Sequence, residues 1–245
     1  IKYYKVDNIN NKINIDLIKK IKPCISIVAG FSVLFNEELI NLPIFGTINL
    51  HAGPLPKYRG GSPLNWQIIN GEKRIGISII QMDKNIDTGK VFLTRYFILK
   101  SDDDISVVHL NANILFSKMI IELLKKLKNK NIKPASQKEK LAKYWHQRSD
   151  EDGRIFWNNM KATSVHNFIR AINKPYQGAF TYYKKYKIRI YKSYLSKKTF
   201  QGTPGRVVKV KNNNLVIICS DYGIGVSDYK FENSNKKLTN GMHLS

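Results

Sequence analysis

Apolar and polar positions alternate over residues 47–51, where Ile48 and Leu50 interleave with Asn49 and His51. Residues i and i+2 of a strand share a face. The pattern therefore predicts a strand with Ile48 and Leu50 toward packed core and with Asn49 and His51 projecting together. The loop that follows is dense in Gly53, Pro54, Pro56, Gly60, Gly61 and Pro63, a composition that fixes the path of the backbone. A second strand over 75–82 leads to a turn at Asp87, Thr88 and Gly89. Upstream, a helix is predicted over 15–21, stopped by Pro23. The short apolar run 25–29 predicts a strand buried on both faces. A strand-to-helix turn over 30–35 and a short helix capped by Asn36 complete a strand–helix–strand unit, which predicts parallel pairing with a right-handed crossover. Ligands of such sheets sit outside the carboxyl ends of the strands. The 31–35 turn, His51 and the Asp87 turn are thus expected to share one crevice.

Further along, a helix is predicted over 62–70 and a strand over 90–99. Helix-start signals at Asp102, Asp103, Asp104 and Ser106 precede a stripe of Val108, Ala112, Leu115, Met119, Leu123 and Leu127 at helical spacing, read as a core-facing face. Residues 125–143 are basic, polar and weakly patterned. After a helix over 164–172 the texture changes to short strands at 179–183, 187–191, 206–210, 215–219 and 224–227. Turns at 203–205 and 212–214 lie between them, and the spacing predicts a small barrel. The expected organisation is an α/β part over 1–130, a basic linker over 131–149 and a β-rich part over 150–245.

A length of 245 residues and 42% hydrophobic content suit one or two packed domains. No continuous apolar run reaches the ~20 residues a membrane span needs, so no membrane partner is expected. Cys24 and Cys219 are far apart in apolar surroundings, which gives a disulfide framework no support and makes a reduced, cytoplasmic compartment the default. The five histidines are scattered, and no Cys/His metal spacing is present. Against 18 acidic residues stand 41 Lys and Arg, a formal charge of +23. Such charge attracts polyanions. It is spread along the chain, however, and a compositional habit explains it equally.

Asn49, His51 and Asp87 bring an amide, an imidazole and a carboxylate to strand ends, a plausible polar catalytic set. An Asn-x-His on a strand is also a common structural feature, and Asp87 suits an Asx turn. The residue pattern alone leaves both readings open. The whole string from Ile48 to Gly89, however, resembles the N10-formyltetrahydrofolate-dependent formyltransferases. It has their Asn-x-His strand, a Leu55-Pro56-Lys57-Tyr58-Arg59-Gly60 loop, and Asp-Thr-Gly after an Ile75-Gly76-Ile77-Ser78 strand. Residues 162–180 and Thr203-Pro204-Gly205-Arg206 look like the same family's C-terminal domain.

That resemblance implies a Rossmann-like formyltransferase domain followed by a small OB-like domain. The family's first strand and helix are expected to precede residue 1. It implies N10-formyltetrahydrofolate as formyl donor, no metal, and Asn49, His51 and Asp87 as the catalytic trio. His51 would shuttle protons, Asn49 would donate to the oxyanion, and Asp87 would orient His51. The pterin ring would lie between Val33, Leu34 and Phe35 on one side and Asp83, Lys84, Asn85, Ile86 and Asp87 on the other. Tyr58, Arg59 and Trp66 would border the acceptor, and Arg59 equally suits fixing its loop. The Pro63-Leu64-Asn65-Trp66 sequence and residues 175–180 look like the branch that formylates a nucleotide-linked 4-amino-4-deoxy sugar of lipopolysaccharide or O-antigen type. Methionyl-tRNA formyltransferase is the alternative, and an incomplete copy kept as a binding module the second. A homodimer is left open.

Overall fold

The computed structural model describes residues 3–31, 33–196, 199–209 and 215–245. The chain forms two compact units. One comprises Ile1–Pro63, Gly76–Phe97 and Asn111–His146, the other Leu64–Ile75, Ile98–Leu110 and Gln147–Ser245.

The first unit begins with helix α1, Lys12–Ile21, whose Asn11 caps it by accepting from Asn14 N at 2.8 Å. Strand β1, Ser26–Ala29, helix α2, Glu37–Asn41, and strand β2, Thr47–His51, follow. Asn36 caps α2 by accepting from Leu39 N at 2.9 Å. Strands β1 and β2 pair in parallel, Ser26 opposite Thr47, as the strand–helix–strand pattern predicts. Two further strands, β4, Arg74–Gln81, and β5, Val91–Ile98, complete a sheet of order β1-β2-β4-β5, numbered after the two-residue β3, Arg59–Gly60. Strand β4 runs antiparallel to β2, with Ile48 opposite Gln81 and His51 opposite Ser78.

Burial differs from the sequence expectation in two places. Strand β1 is not buried on both faces: Val28 is buried, but Ile27 is 41% exposed, because β1 is the edge of the described sheet. The doubly buried strand is β4, whose residues from Ile75 to Ile80 are all buried between two neighbours. In β2, Ile48 is fully buried while Leu50 is only half-buried.

Helix α4, Ile105–Lys128, follows β5 in the chain. One of its faces is core: Ile105, Val108, Ala112, Met119 and Leu123 are each at most 2% exposed. By length and composition alone α4 is long and apolar enough to cross a membrane. No continuous apolar run marks it in the sequence, because Asn111, Asn113, Ser117, Lys118 and Glu122 interrupt it.

The segment expected as a linker is bonded throughout. Ala135 and Val91 exchange backbone hydrogen bonds of 2.8 and 2.9 Å. A 3-10 turn covers Glu139–Leu141, and strand β6, Tyr144–Trp145, pairs in parallel with β3.

The second unit holds helix α3, Pro63–Ile69, from Leu64 onward, together with helix α5, Ala162–Ala171, and an antiparallel sheet. Its strands are β7, Ala179–Tyr183, β8, Tyr186–Leu195, β9, Val207–Lys209, β10, Leu215–Ile218, and β11, Gly223–Phe231, in the order β7-β8-β11-β10-β9. The chain end closes the two sheet edges. Ser245 and Tyr182 of β7 exchange backbone bonds of 2.9 Å, while Val207 of β9 donates to Met242 O at 2.8 Å. The predicted turn at 212–214 lies outside the described residues.

Candidate functional site

His51 ends β2 and is 5% exposed. Its Nε2 lies 2.5 Å from the carbonyl oxygen of Tyr58, which accepts, so Nε2 carries the hydrogen. Nδ1 faces Asp87 Oδ1 at 3.4 Å. The other carboxylate oxygen of Asp87 accepts from Gly60 N at 2.8 Å. Asp87 thus joins the His51 ring to the Pro/Gly loop. Gly60 has φ +93°, and a Cβ there would stand 2.2 Å from Trp145 O, so only glycine lets this amide reach Asp87.

Strand direction does not by itself explain this meeting. Because β4 is antiparallel to β2, its end lies beside the start of β2, where Met82 N donates to Thr47 O at 2.8 Å. The loop from Met82 to Lys90 must return along β2 to reach His51. It does so through an Asx turn at Asp83, which accepts from Asn85 N at 3.1 Å and from Thr88 Oγ1 at 2.6 and 2.8 Å. Asp87 then takes φ +55°, the left-handed region tolerated by aspartate. The Asx-turn residue is therefore Asp83, and the Asp87 carboxylate is left for His51.

Gln137 fixes the loop from outside. Its Nε2 donates to Asp87 O at 2.7 Å and Gly89 O at 2.8 Å. Its Oε1 accepts from Arg59 Nε at 3.1 Å and Nη2 at 3.0 Å. Arg59 is fully buried and also donates to Glu139 at 2.8 and 2.9 Å and to Tyr144 Oη at 2.6 Å. The hydrogen bond that Arg59 donates to Glu139 raises the Arg59 pKa, and the same bond lowers that of Glu139. Of the two roles considered for Arg59, the observed bonds are those of a loop brace, made through side chains instead of main-chain carbonyls. Sequence reasoning missed Gln137, Glu139 and Tyr144. The signal available was an arginine in a Pro/Gly loop, which when buried demands several acceptors.

The remaining expected residues divide. Tyr58 is 4% exposed and stacks on Trp145 at 5.6 Å, so its ring is core and its carbonyl is the part that meets His51. Asn49 is half-buried and its carboxamide makes no hydrogen bond among the described residues. Trp66 belongs to the second unit, where it is half-buried under the guanidinium of Arg148 at 5.8 Å.

Residues 2–123 match the family profile Formyl transferase, and residues 148–240 match Formyl transferase, C-terminal domain. The chain belongs to the formyl transferase family. It is 36% identical over 227 residues to methionyl-tRNA formyltransferase of Caldanaerobacter subterraneus subsp. tengcongensis, covering 93% of this chain and 72% of that protein. To the bifunctional polymyxin resistance protein ArnA of Wigglesworthia glossinidia brevipalpis it is 37% identical over 231 residues, again 93% of this chain but 34% of that protein. The fold is shared with WlaRD, a sugar 3N-formyl transferase crystallised with dTDP and 5-N-formyl-THF, at TM-score 0.67 and 21% identity, covering 89% of this chain and 77% of that one.

The donor the resemblance implies is N10-formyltetrahydrofolate, and WlaRD is crystallised with 5-N-formyl-THF. The two segments expected to hold it suit a flat, edge-polar ring. Val33, Leu34 and Ile86 are 50%, 57% and 48% exposed, so they are not packed into the described core. Lys84 Nζ of the second segment lies 3.8 Å from Glu37, two residues beyond the first. Asn10 holds the first segment at both ends, donating to Leu34 O at 2.7 Å and accepting from Asn36 N at 2.9 Å. Among the described residues no group of three or more His, Cys, Asp or Glu could hold a metal ion.

Proposed function

We propose that this formyltransferase acts on the α-amino group of methionyl-tRNA, with Asn49, His51 and Asp87 as its reacting centre. The observation that carries the centre is the contact between His51 Nδ1 and Asp87 Oδ1 at 3.4 Å, with Asn49 two positions before His51 on β2 and its carboxamide without a hydrogen bond among the described residues. An attacking amine must be neutral and must lose a proton as the C–N bond forms. The tetrahedral carbon then bears an oxyanion, for which the Asn49 N–H is the donor at hand. The folate nitrogen leaves as it gains a proton. His51 carries that proton in the tautomer with its ring hydrogen on Nδ1, held by Asp87, once substrate displaces the Tyr58 carbonyl and leaves the Nε2 lone pair free to accept. Support for the tRNA acceptor comes from the Caldanaerobacter relative, of which the chain covers 72%, and from the charge of +23.

A nucleotide-linked amino sugar is the second reading, favoured by one observation. Trp66 lies under Arg148, and Arg148 also lines a cleft of about 260 Å³ with Tyr176 and Gln177. An indole and a guanidinium together suit a sugar or base and its phosphate. The Leu64-Asn65-Trp66 sequence pointed the same way.

One assay separates the readings: transfer of labelled formyl from N10-formyltetrahydrofolate to methionyl-tRNA and to a panel of nucleotide-linked amino sugars. Product only on tRNA, with binding that falls steeply with salt, supports the proposal. Product only on a sugar nucleotide selects the second reading. No product on either acceptor sinks both.

A further inference from the structure

We propose that Ser78 is a positioning residue for formyl transfer, its hydroxyl fixing the Gly53–Leu55 turn that walls the Nε2 side of His51. Its role rests on His51 belonging to the proposed reacting centre. Ser78 is fully buried. It stands directly opposite His51 in the β2–β4 ladder, so both side chains leave the same face of the sheet.

The Ser78 hydroxyl has a single hydrogen and two lone pairs. The hydrogen goes to the Gly53 carbonyl oxygen at 2.8 Å, because a carbonyl can only accept. Thr94 Oγ1, at 3.1 Å, must then be the donor between the two hydroxyls. Leu55 N donates to the remaining lone pair at 3.3 Å. The hydroxyl is thus saturated, and it holds the residues on either side of Pro54. Gly76, two positions before Ser78 and on the same face, holds Pro54 itself. A Cβ at Gly76 would stand 2.7 and 2.9 Å from Cβ and Cγ of Pro54 and 2.6 Å from Tyr96 Cε1. The turn is therefore seated by shape at Gly76 and by hydrogen bonds at Ser78. Every group of this seat belongs to the first unit.

The seated turn bears on His51. A Cβ at Gly53 would stand 2.9 Å from His51 Nε2 and 2.8 Å from Tyr58 O, so the Gly53 backbone lies against both the ring and the carbonyl that accepts from it. The place where Ser78 holds Gly53 sets the space at Nε2 that the reacting amine must enter. Leu55 carries the same constraint along the loop toward Tyr58. Loss of the Ser78 hydroxyl releases the Gly53 oxygen and the Leu55 amide together. The Tyr58 carbonyl then loses its fixed place at Nε2, and the ring hydrogen passes to Nδ1, where Asp87 accepts it. Displacement of a reacting group costs rate, by about 10²-fold for ~1 Å.

The test uses the whole chain. In the nitrogen NMR spectrum of the histidine rings, recorded in alkaline buffer, His51 is assigned by its absence in His51→Ala. Wild type should carry the His51 hydrogen on Nε2, and Ser78→Ala should move it to Nδ1. This spectrum decides the point whichever acceptor the enzyme takes. Turnover of N10-formyltetrahydrofolate with methionyl-tRNA is read beside it. Ser78→Ala should lower kcat about tenfold and leave KM for the donor within about twofold, whereas Thr94→Val, which removes only the outer donor, should lower kcat about threefold. Ser78→Thr keeps the hydroxyl and should return both readouts toward wild type. A His51 hydrogen that stays on Nε2 in Ser78→Ala overturns the proposal, and so does a Ser78→Thr as impaired as Ser78→Ala. If Ser78→Ala does not fold, the same ring shift, smaller in extent, is read in Thr94→Val, and its absence there overturns the proposal equally. Full turnover in His51→Ala would dismiss the centre and the role of Ser78 with it. Full turnover in Ser78→Ala beside an inactive His51→Ala would dismiss Ser78 alone.

Discussion

Gln137 reaches across 50 residues of sequence to hold Asp87, its Nε2 donating 2.7 Å to the Asp87 carbonyl. The same amide group donates to Gly89 O, and its oxygen accepts from the buried Arg59. One side chain thus fixes the loop that carries the carboxylate to the loop that carries Gly60, the other partner of that carboxylate. Gln137→Ala removes both donors, and the Asp87 loop is then free to drift from His51. We expect kcat to fall by about tenfold to hundredfold, since misplacement of a reacting group costs rate. Gln137→Glu keeps an acceptor for Arg59 but sets a carboxylate against two carbonyls. It should retain more thermal stability than Gln137→Ala while losing as much kcat. Equal, near-normal turnover in both variants would leave Gln137 a merely structural residue.

His51→Ala and Asp87→Ala should each reduce turnover by ~10²-fold or more. Circular dichroism should show the fold intact, because the sheet around β2 is carried by Ile48, Ile77 and Ile79, all fully buried. If either variant keeps close to wild-type turnover, that residue leaves the proposed centre.

In the second unit, Asp150 is held by Arg189, which contacts both of its oxygens at 2.5 and 2.7 Å, and by Lys187 at 3.0 Å. The Arg189 hydrogen bonds come first in lowering the carboxyl from its ordinary 3.8 to about 2. A depressed carboxylate stabilises the fold above its unfolded value, and this contribution disappears as pH falls from about 4 through 2. The shift corresponds to roughly 2 kcal/mol. Asp150→Asn should therefore lower stability near neutral pH, and the gap between variant and wild type should close below about pH 2. Urea unfolding monitored from pH 7 downward checks this, and a gap independent of pH would contradict it.

The two thiols should behave differently. Cys24 is exposed, whereas Cys219 is 1% exposed and burial pushes its pKa up to about 12. A disulfide reagent should titrate one thiol per native chain and two after denaturation. Fast reaction of two thiols in the native protein would place Cys219 in solvent.

Alternation and turn chemistry in the sequence were enough to place the strand ending in His51, the Asn36 cap and the short strands after Ala179, because those features are local. Residue order likewise put Asn49 and His51 two positions apart on one strand. Tertiary structure alone decided the rest. The pattern has no sign for strand direction, so the antiparallel run of β4 was invisible, and with it the return of the 82–90 loop that brings Asp87 to His51. Residues 131–149 read as a linker because they are basic and unpatterned. Their order comes from hydrogen bonds to Val91, Arg59 and the Asp87 loop, contacts spanning tens of residues that no local periodicity records. Exposure was undecidable for the same reason: Val33, Leu34 and Ile86 are as apolar as the core, and only the folded chain shows which apolar side chains it leaves uncovered.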